Sequence, residues 1–172
     1  KIRNVYDNYG GWVDQKQITE ITENEFHLLN QAQVQYTKDL VDVVQSESGQ
    51  LIPVLFGSAM RNVNDSKFQI NDMHFSYGGQ LSLPGENPKI ASVIEDAMLF
   101  LHAPYLWGGK TPFGIDCSGL TQSVFKANGI ELLRDAAQQA TQAETISLID
   151  EAEAGDLVFF DNEEGKIVHV GL

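Results

Sequence analysis

The sequence predicts an α+β protein in two parts, a β-rich first half followed by helices packed on an antiparallel sheet. Three observations lead there. Between Lys1 and Tyr77, short β-prone runs are broken every few residues by turn-forming pairs such as Ser48-Gly49, Asn64-Asp65 and Asn71-Asp72. From Ile90 onward apolar residues recur at helical spacing instead. Near the end, two apolar runs flank Asn162–Gly165, a hairpin pattern.

Taken in order, Lys1 to Val5 and Gly11 to Val13 read as short strands joined across Asp7-Asn8-Tyr9-Gly10. Thr22 and Glu25 fit a capping box, so a helix is expected from about Glu23 to Gln31. Strands are expected near Asp39 to Val44, Leu51 to Phe56, Lys67 to Ile70 and Met73 to Ser76, together forming a small barrel. Leu83-Pro84-Gly85 has linker chemistry, and Asn87-Pro88 reads as an N-cap followed by proline at the first helical position. Ile90, Val93, Ile94, Ala97, Met98 and Leu101 then line one face of a helix that Ala103-Pro104 ends. A second helix opens at Asp116, with Cys117, Leu120, Val124 and Ala127 on one face and Gly129 just past its end. A third is expected over Ala136 to Ala143 behind Asp135. Leu157 to Phe160 and Ile167 to Leu172 are the paired strands.

Composition narrows the function classes. The 172 residues, 42% hydrophobic and 20% charged, suit one ordinary domain or two small ones. A formal net charge of −13 disfavours nucleic acid as a partner. No stretch is long and apolar enough to be a membrane span. The chain begins at Lys1 rather than Met, which leaves room for an export signal or lipid anchor upstream. The four histidines have no metal-ligand spacing, so neither a metal nor another cofactor is expected.

The single cysteine, Cys117, is placed to do chemistry. It follows Asp116, a good N-cap, and precedes Ser118-Gly119, so it sits in a first helical turn where unpaired N–H groups favour a thiolate and an oxyanion. His169 lies 52 positions later in an apolar strand pattern. Cys before His, joined by the fold, is the arrangement of a thiol hydrolase. His27, His74 and His102 are weaker partners. Ahead of the cysteine runs Pro104-Tyr105-Leu106-Trp107-Gly108-Gly109, in which Tyr105 offers a hydroxyl to an oxyanion. Each residue also has a bland reading: a buried inert thiol, a structural histidine, core aromatics.

Five motifs in order resemble the NlpC/P60 cysteine peptidases: Tyr105-x-Trp107-Gly108-Gly109, Asp116-Cys117-Ser118-Gly119-Leu120, Arg134-Asp135-Ala136-Ala137-Gln138-Gln139-Ala140, Gly155-Asp156-Leu157-Val158-Phe159-Phe160 and His169-Val170-Gly171. The similarity runs from about Ile90 to Leu172 and is nearest to bacterial γ-D-glutamyl-L-diamino acid endopeptidases of the dipeptidyl-peptidase VI type, which carry SH3-like modules in front. It implies a papain-like domain over 85–172 and an SH3b-like region over 1–84, with 1–20 the end of one module and 38–80 a second. It implies Cys117 as nucleophile, His169 as base and Tyr105 as oxyanion donor, with Asp116, Ser118, Trp107, Arg134, Asp135 and Gln138 around the substrate. A third polar residue is expected about a dozen positions beyond His169, past Leu172, so the chain reads as truncated at both ends and as weakly active by itself.

The resemblance implies hydrolysis of the γ-D-glutamyl–diamino acid bond of peptidoglycan-derived peptides with a free L-Ala end. The cell envelope is the expected place, with cytoplasmic peptide recycling as the alternative. Two other readings stand beside it. One is a non-catalytic binding protein using Tyr6, Tyr9 and Trp12 as a groove. The other is an acyltransferase or different amidase on the same fold.

Overall fold

In the computed structural model, which describes residues 1–82, 89–142, 144–146 and 148–172, the chain opens with a minimal ribbon. Strand β1 (Ile2–Arg3) pairs antiparallel with β2 (Gly10–Gly11). Helix α1 (Glu23–Gln31) lies where the capping box predicts: Thr22 Oγ1 accepts from Glu25 N–H at 3.3 Å, and Glu25 Oε2 accepts from Thr22 N–H at 2.7 Å. No residue of α1 is buried, so this helix rests on its cap more than on packing.

The strands that follow pair in two groups instead of one closed ring. Strands β4 (Val41–Ser46), β5 (Leu51–Leu55), β7 (Lys67–Ile70) and β8 (Met73–Ser76) form an antiparallel sheet in the order β5-β4-β8-β7. Strands β3 (Val34–Tyr36) and β6 (Ala59–Arg61), which the turn pattern does not predict, pair separately. Val44, Met60, Phe68, Phe75 and Tyr77 fill the core between them.

Helix α2 (Ile90–Leu99) forms where the periodicity places it but stops two residues short of Leu101, with Lys89 at the N-cap position and no side-chain cap; Val93 of the predicted face is buried, whereas Met98 and Leu101 are exposed. The predicted linker at Leu83–Gly85 and the Asn87-Pro88 cap lie outside the described residues. A two-stranded hairpin, β9 (Lys110–Thr111) and β10 (Gly114–Ile115), leads into α3 (Cys117–Ala127), capped by Asp116. Gly129, with φ of +81°, turns the chain away from the helix end. Helix α4 (Ala136–Gln139) is a single turn, shorter than expected, and the predicted end at Ala143 lies outside the described residues. It stops because side chains take over: Thr141 Oγ1 donates to Gln138 O, and Gln142 turns back to Glu131 O and Leu133 N–H. The terminal hairpin of β11 (Val158–Asp161) and β12 (Ile167–Gly171) forms as predicted, with a bulge at Phe160/Asp161.

The β half and the helical half share one core. Phe56 packs edge-on to Phe100, 5.3 Å between ring centres, among Val93, Ile115, Val124 and Phe125, with Tyr36 and Leu40 against them. Two lysines cross between the halves in opposite directions. Lys38, just ahead of β4, reaches Asp96 of α2 and Asn128 at the end of α3, where Asn128 Nδ2 also donates to Asp96 (2.6 Å). Lys126 of α3 donates to Gly57 O (3.0 Å) and lies 4.8 Å and 4.7 Å from the ring centres of Tyr6 and Tyr36.

Removing one partner of a buried ion pair leaves the other charge without compensation. Asp96→Ala should therefore cost about 3 kcal/mol in urea unfolding. Glu164→Ala, which breaks the exposed pair with Lys166, should stay within about 0.5 kcal/mol. Equal effects would contradict this account of the core.

Candidate active site

The site is built around one buried carboxylate. Asp116 caps α3 through Oδ1, which accepts from Gly119 N–H at 2.6 Å. Arg134 donates to the same carboxylate twice, Nη1 to Oδ1 at 3.1 Å and Nη2 to Oδ2 at 2.7 Å. Gly108 N–H adds a bond to Oδ2 at 2.8 Å. Arg134 Nη1 also donates to Ser118 Oγ at 2.9 Å. Asp116 is 7% exposed. Burial alone would raise its carboxyl pKa, but the bonds from Arg134 and Gly119 and the guanidinium charge hold it below the usual range.

Two glycines make that geometry possible. Gly108 has φ of +80°, which lets its N–H turn toward Asp116. Gly119 lies under the Gly109 carbonyl, and a Cβ there would run into that oxygen and into Asp116 Oδ1.

Cys117 is the first residue of α3, a free, half-buried thiol. Its own N–H, at the first helical position, has no intrahelical acceptor. Strand β12, which carries His169, packs against α3 and α4. His169 is exposed, its ring 5.6 Å from that of Phe160 across the hairpin. The sulfur and the imidazole are not hydrogen-bonded to each other; the side-chain hydrogen bond at Cys117 is from Thr121 Oγ1 to its carbonyl, at 3.4 Å. Tyr105 pairs with Ile115 in a parallel bridge, two residues before the cysteine, and its side chain is exposed. Trp107 is 83% exposed. Asp135 is exposed at the start of α4, where its N–H donates to Gln138 Oε1 at 3.1 Å.

The structure thus joins Asp116, Ser118 and Arg134 in one hydrogen-bonded cluster and brings the Trp107-Gly108 turn to it. It keeps Asp135 and Gln138 on the adjoining turn. Among the described residues, no three His, Cys, Asp or Glu side chains converge where a metal would sit.

Two buried glutamines and a half-buried lysine, to which the motif reading assigns no role, complete the surroundings. Gln122 is 0% exposed: its oxygen accepts from Lys110, and its Nε2 donates to Leu132 O (2.9 Å) and to Asp7 Oδ2 (3.0 Å). Gln139 bonds to Ser118 O, Leu133 O and Thr121. The pKa of Lys110 is pushed down to about 8 by burial first, then by the charges of Lys126 and Arg134. Only Gln139 lies inside a quoted motif; a polar residue at helical spacing carries no signal of its burial.

Removing Arg134 strands Asp116. Arg134→Met should cost about 3 kcal/mol in urea unfolding, and Arg134→Lys less, since one of the two donor positions survives. For Lys110, the folded state releases its proton near pH 8 and the unfolded chain near 10.5. Between those values the unfolded state binds more protons, so folding stability rises with pH. Lys110→Met should lack that rise when unfolding is followed from pH 7.5 to 10.5; parallel curves would contradict the assignment.

Comparison with known proteins agrees with the motifs. Residues 102–172 match the NlpC/P60 family. A γ-D-glutamyl-L-lysine dipeptidyl-peptidase of Bacillus subtilis (strain 168) is 52% identical over 82 residues, which are 46% of this chain and 27% of that protein. A protein of the same name from Bacillus cereus (strain ATCC 10987 / NRS 248) is 28% identical over 185 aligned positions, covering 96% of this chain and 54% of that one. The crystal structure of an NlpC/P60 family protein from Bacillus cereus ATCC 10987 shares the fold, with a TM-score of 0.79 at 22% identity over 95% of this chain and 58% of that one. The chain therefore spans about half the length, or less, of these relatives. Residues 102–172, which carry all five ordered motifs, thus match the NlpC/P60 family, and the chain shares the fold of the Bacillus cereus NlpC/P60 structure.

Proposed function

We propose that the chain is the core of a cysteine peptidase that cleaves the γ-D-glutamyl–diamino acid amide bond of peptidoglycan-derived peptides, with an SH3-like β region ahead of the catalytic domain. The observation that carries this reading is the placement of the lone thiol at the mouth of α3, on a turn pinned by the Asp116–Arg134 cluster, with the histidine-bearing strand packed on the same helix. The names of the similar proteins, dipeptidyl-peptidases and endopeptidases, support the substrate class.

In this mechanism the Cys117 thiolate attacks the amide carbonyl, forming a C–S bond. The Cys117 N–H and the Tyr105 hydroxyl receive the oxyanion. His169 gives a proton to the leaving amine as the C–N bond breaks, and water then cleaves the thioester to release the acid and the thiol. Asp116 holds the wall of the site, since its oxygens are taken by Arg134 and two backbone N–H groups. The exposed Asp135 is left as the carboxylate for the free ammonium of the L-Ala end, with Ser118, Trp107 and Gln138 beside it. Turnover of wall peptides places the parent protein in the cell envelope.

A binding role without catalysis is the competing reading, and the exposed rings of Trp12 and Tyr9 favour it. Iodoacetamide separates the two. Cys117 should be alkylated at pH 6 far faster than free cysteine, and His169→Ala should slow both this and tripeptide hydrolysis, the latter by about a thousandfold. Cys117→Ser should abolish hydrolysis. Alkylation no faster than that of free cysteine would overturn the peptidase reading.

A further inference from the structure

Gln139 is 2% exposed, and burying a side-chain amide is costly unless every polar atom is paired. Here each one is. Nε2 donates to Ser118 O at 3.1 Å and to Leu133 O at 2.9 Å; Oε1 accepts from Thr121 Oγ1 at 2.8 Å. Thr121 Oγ1 also lies 3.1 Å from Ser118 O.

One of the Gln139 bonds falls on the peptide unit that joins Ser118 to Gly119, the second after the cysteine. Its N–H, on Gly119, is held by Asp116 Oδ1. Its oxygen, on Ser118, is held by Gln139. One peptide plane in the first turn of α3 is thus clamped at both ends, by a carboxylate from the N-cap and by an amide from the neighbouring turn. An ordinary capped helix has the first of these clamps and, at the carbonyl, only the N–H four residues on; the bond from the Gln139 amide is an addition from outside the helix. The Leu133 carbonyl ties the same amide to the residue preceding Arg134, the cation that holds Asp116. The Gln139 amide therefore links the two clamps through the backbone next to Arg134.

We infer that Gln139 is a positioning residue for the nucleophilic turn: by fixing the Ser118–Gly119 peptide it sets the direction of the Cys117 side chain and of the N–H groups that face the developing oxyanion. The inference rests on the peptidase reading. It deepens that reading by adding a residue that touches neither substrate nor sulfur. A displacement of the turn by a fraction of an ångström would weaken attack and oxyanion contact while leaving the substrate's own contacts in place. The kinetic signature is a fall in kcat with KM unchanged.

The test uses the full chain with Gln139→Leu and Thr121→Val. Folding is checked by circular dichroism. The readouts are iodoacetamide labelling at pH 6.5 and kcat and KM on a free tripeptide. Gln139→Leu should lower labelling and kcat together by about tenfold, with KM within about twofold. Thr121→Val removes the bond that orients the Gln139 oxygen, together with the hydroxyl's contacts to the Cys117 and Ser118 carbonyls, and should shift both by about threefold in the same direction. A folded Gln139→Leu with unchanged labelling and kcat, or with KM alone raised, overturns the inference while the peptidase reading stands. If Gln139→Leu does not fold, unchanged labelling in Thr121→Val overturns it. A wild-type chain that labels no faster than free cysteine overturns the peptidase reading and this inference with it.

Discussion

The buried pair between Arg134 and Asp116 is the constraint on which the rest of the site depends. One carboxylate receives the cap of α3, the guanidinium of the following loop and the N–H of the Trp107-Gly108 turn. Without that carboxylate the buried Gly119 N–H would lose its acceptor and the buried Arg134 its counter-charge. A charge this enclosed is tolerated because its partners are complete, and it fixes three separate segments relative to the thiol. The interaction is therefore a register device more than a source of stability: it decides where the first turn of α3 begins, and so where the sulfur sits.

The other end of α3 is held from the β half. Asn128 closes the helix within the Lys38–Asp96 network, and Lys126 inserts between two tyrosine rings of the first half. With Phe56 in the same core as Val124 and Phe125, the β region serves as a wall against which the helix carrying Cys117 is set. The Asp7–Gln122 bond extends that wall to the N-terminal ribbon. A helix fixed at both ends by groups from different segments resists the small tilts that would misalign its first residue. That rigidity is what the proposed chemistry needs from the fold.

Local features were legible in the sequence and long-range ones were not. The capping box of Thr22 and Glu25, the Asp116 cap and the terminal hairpin are decided within a few residues, so their positions follow from residue type and spacing. The β3–β6 pair joins segments some twenty-five residues apart, and short runs such as Ala59–Arg61 carry no pattern that announces a partner. Helix α4 ends early where Thr141 bonds back to Gln138 O within the turn and Gln142 folds onto the Glu131–Leu133 backbone ahead of it. In the site, the order of motifs picked out Asp116, Ser118 and Arg134. The resemblance set Asp116 beside the substrate; what only the structure reveals is that the same carboxylate is bonded by Arg134 and two backbone N–H groups. Gln122 carries no signature, and the motif that contains Gln139 gives no sign of its burial, because an amide becomes informative only once its three partners are known.

Native-state hydrogen exchange at Gly108 and Gly119 tests the central claim most directly, because both N–H groups end on Asp116. If the carboxylate and its arginine hold the nucleophilic turn as one body, these two amides exchange only when the whole protein unfolds, as slowly as amides in the middle of α3. Exchange at the rate of a fraying helix end would show that the turn opens by itself, and the account of how this fold presents its thiol would not stand.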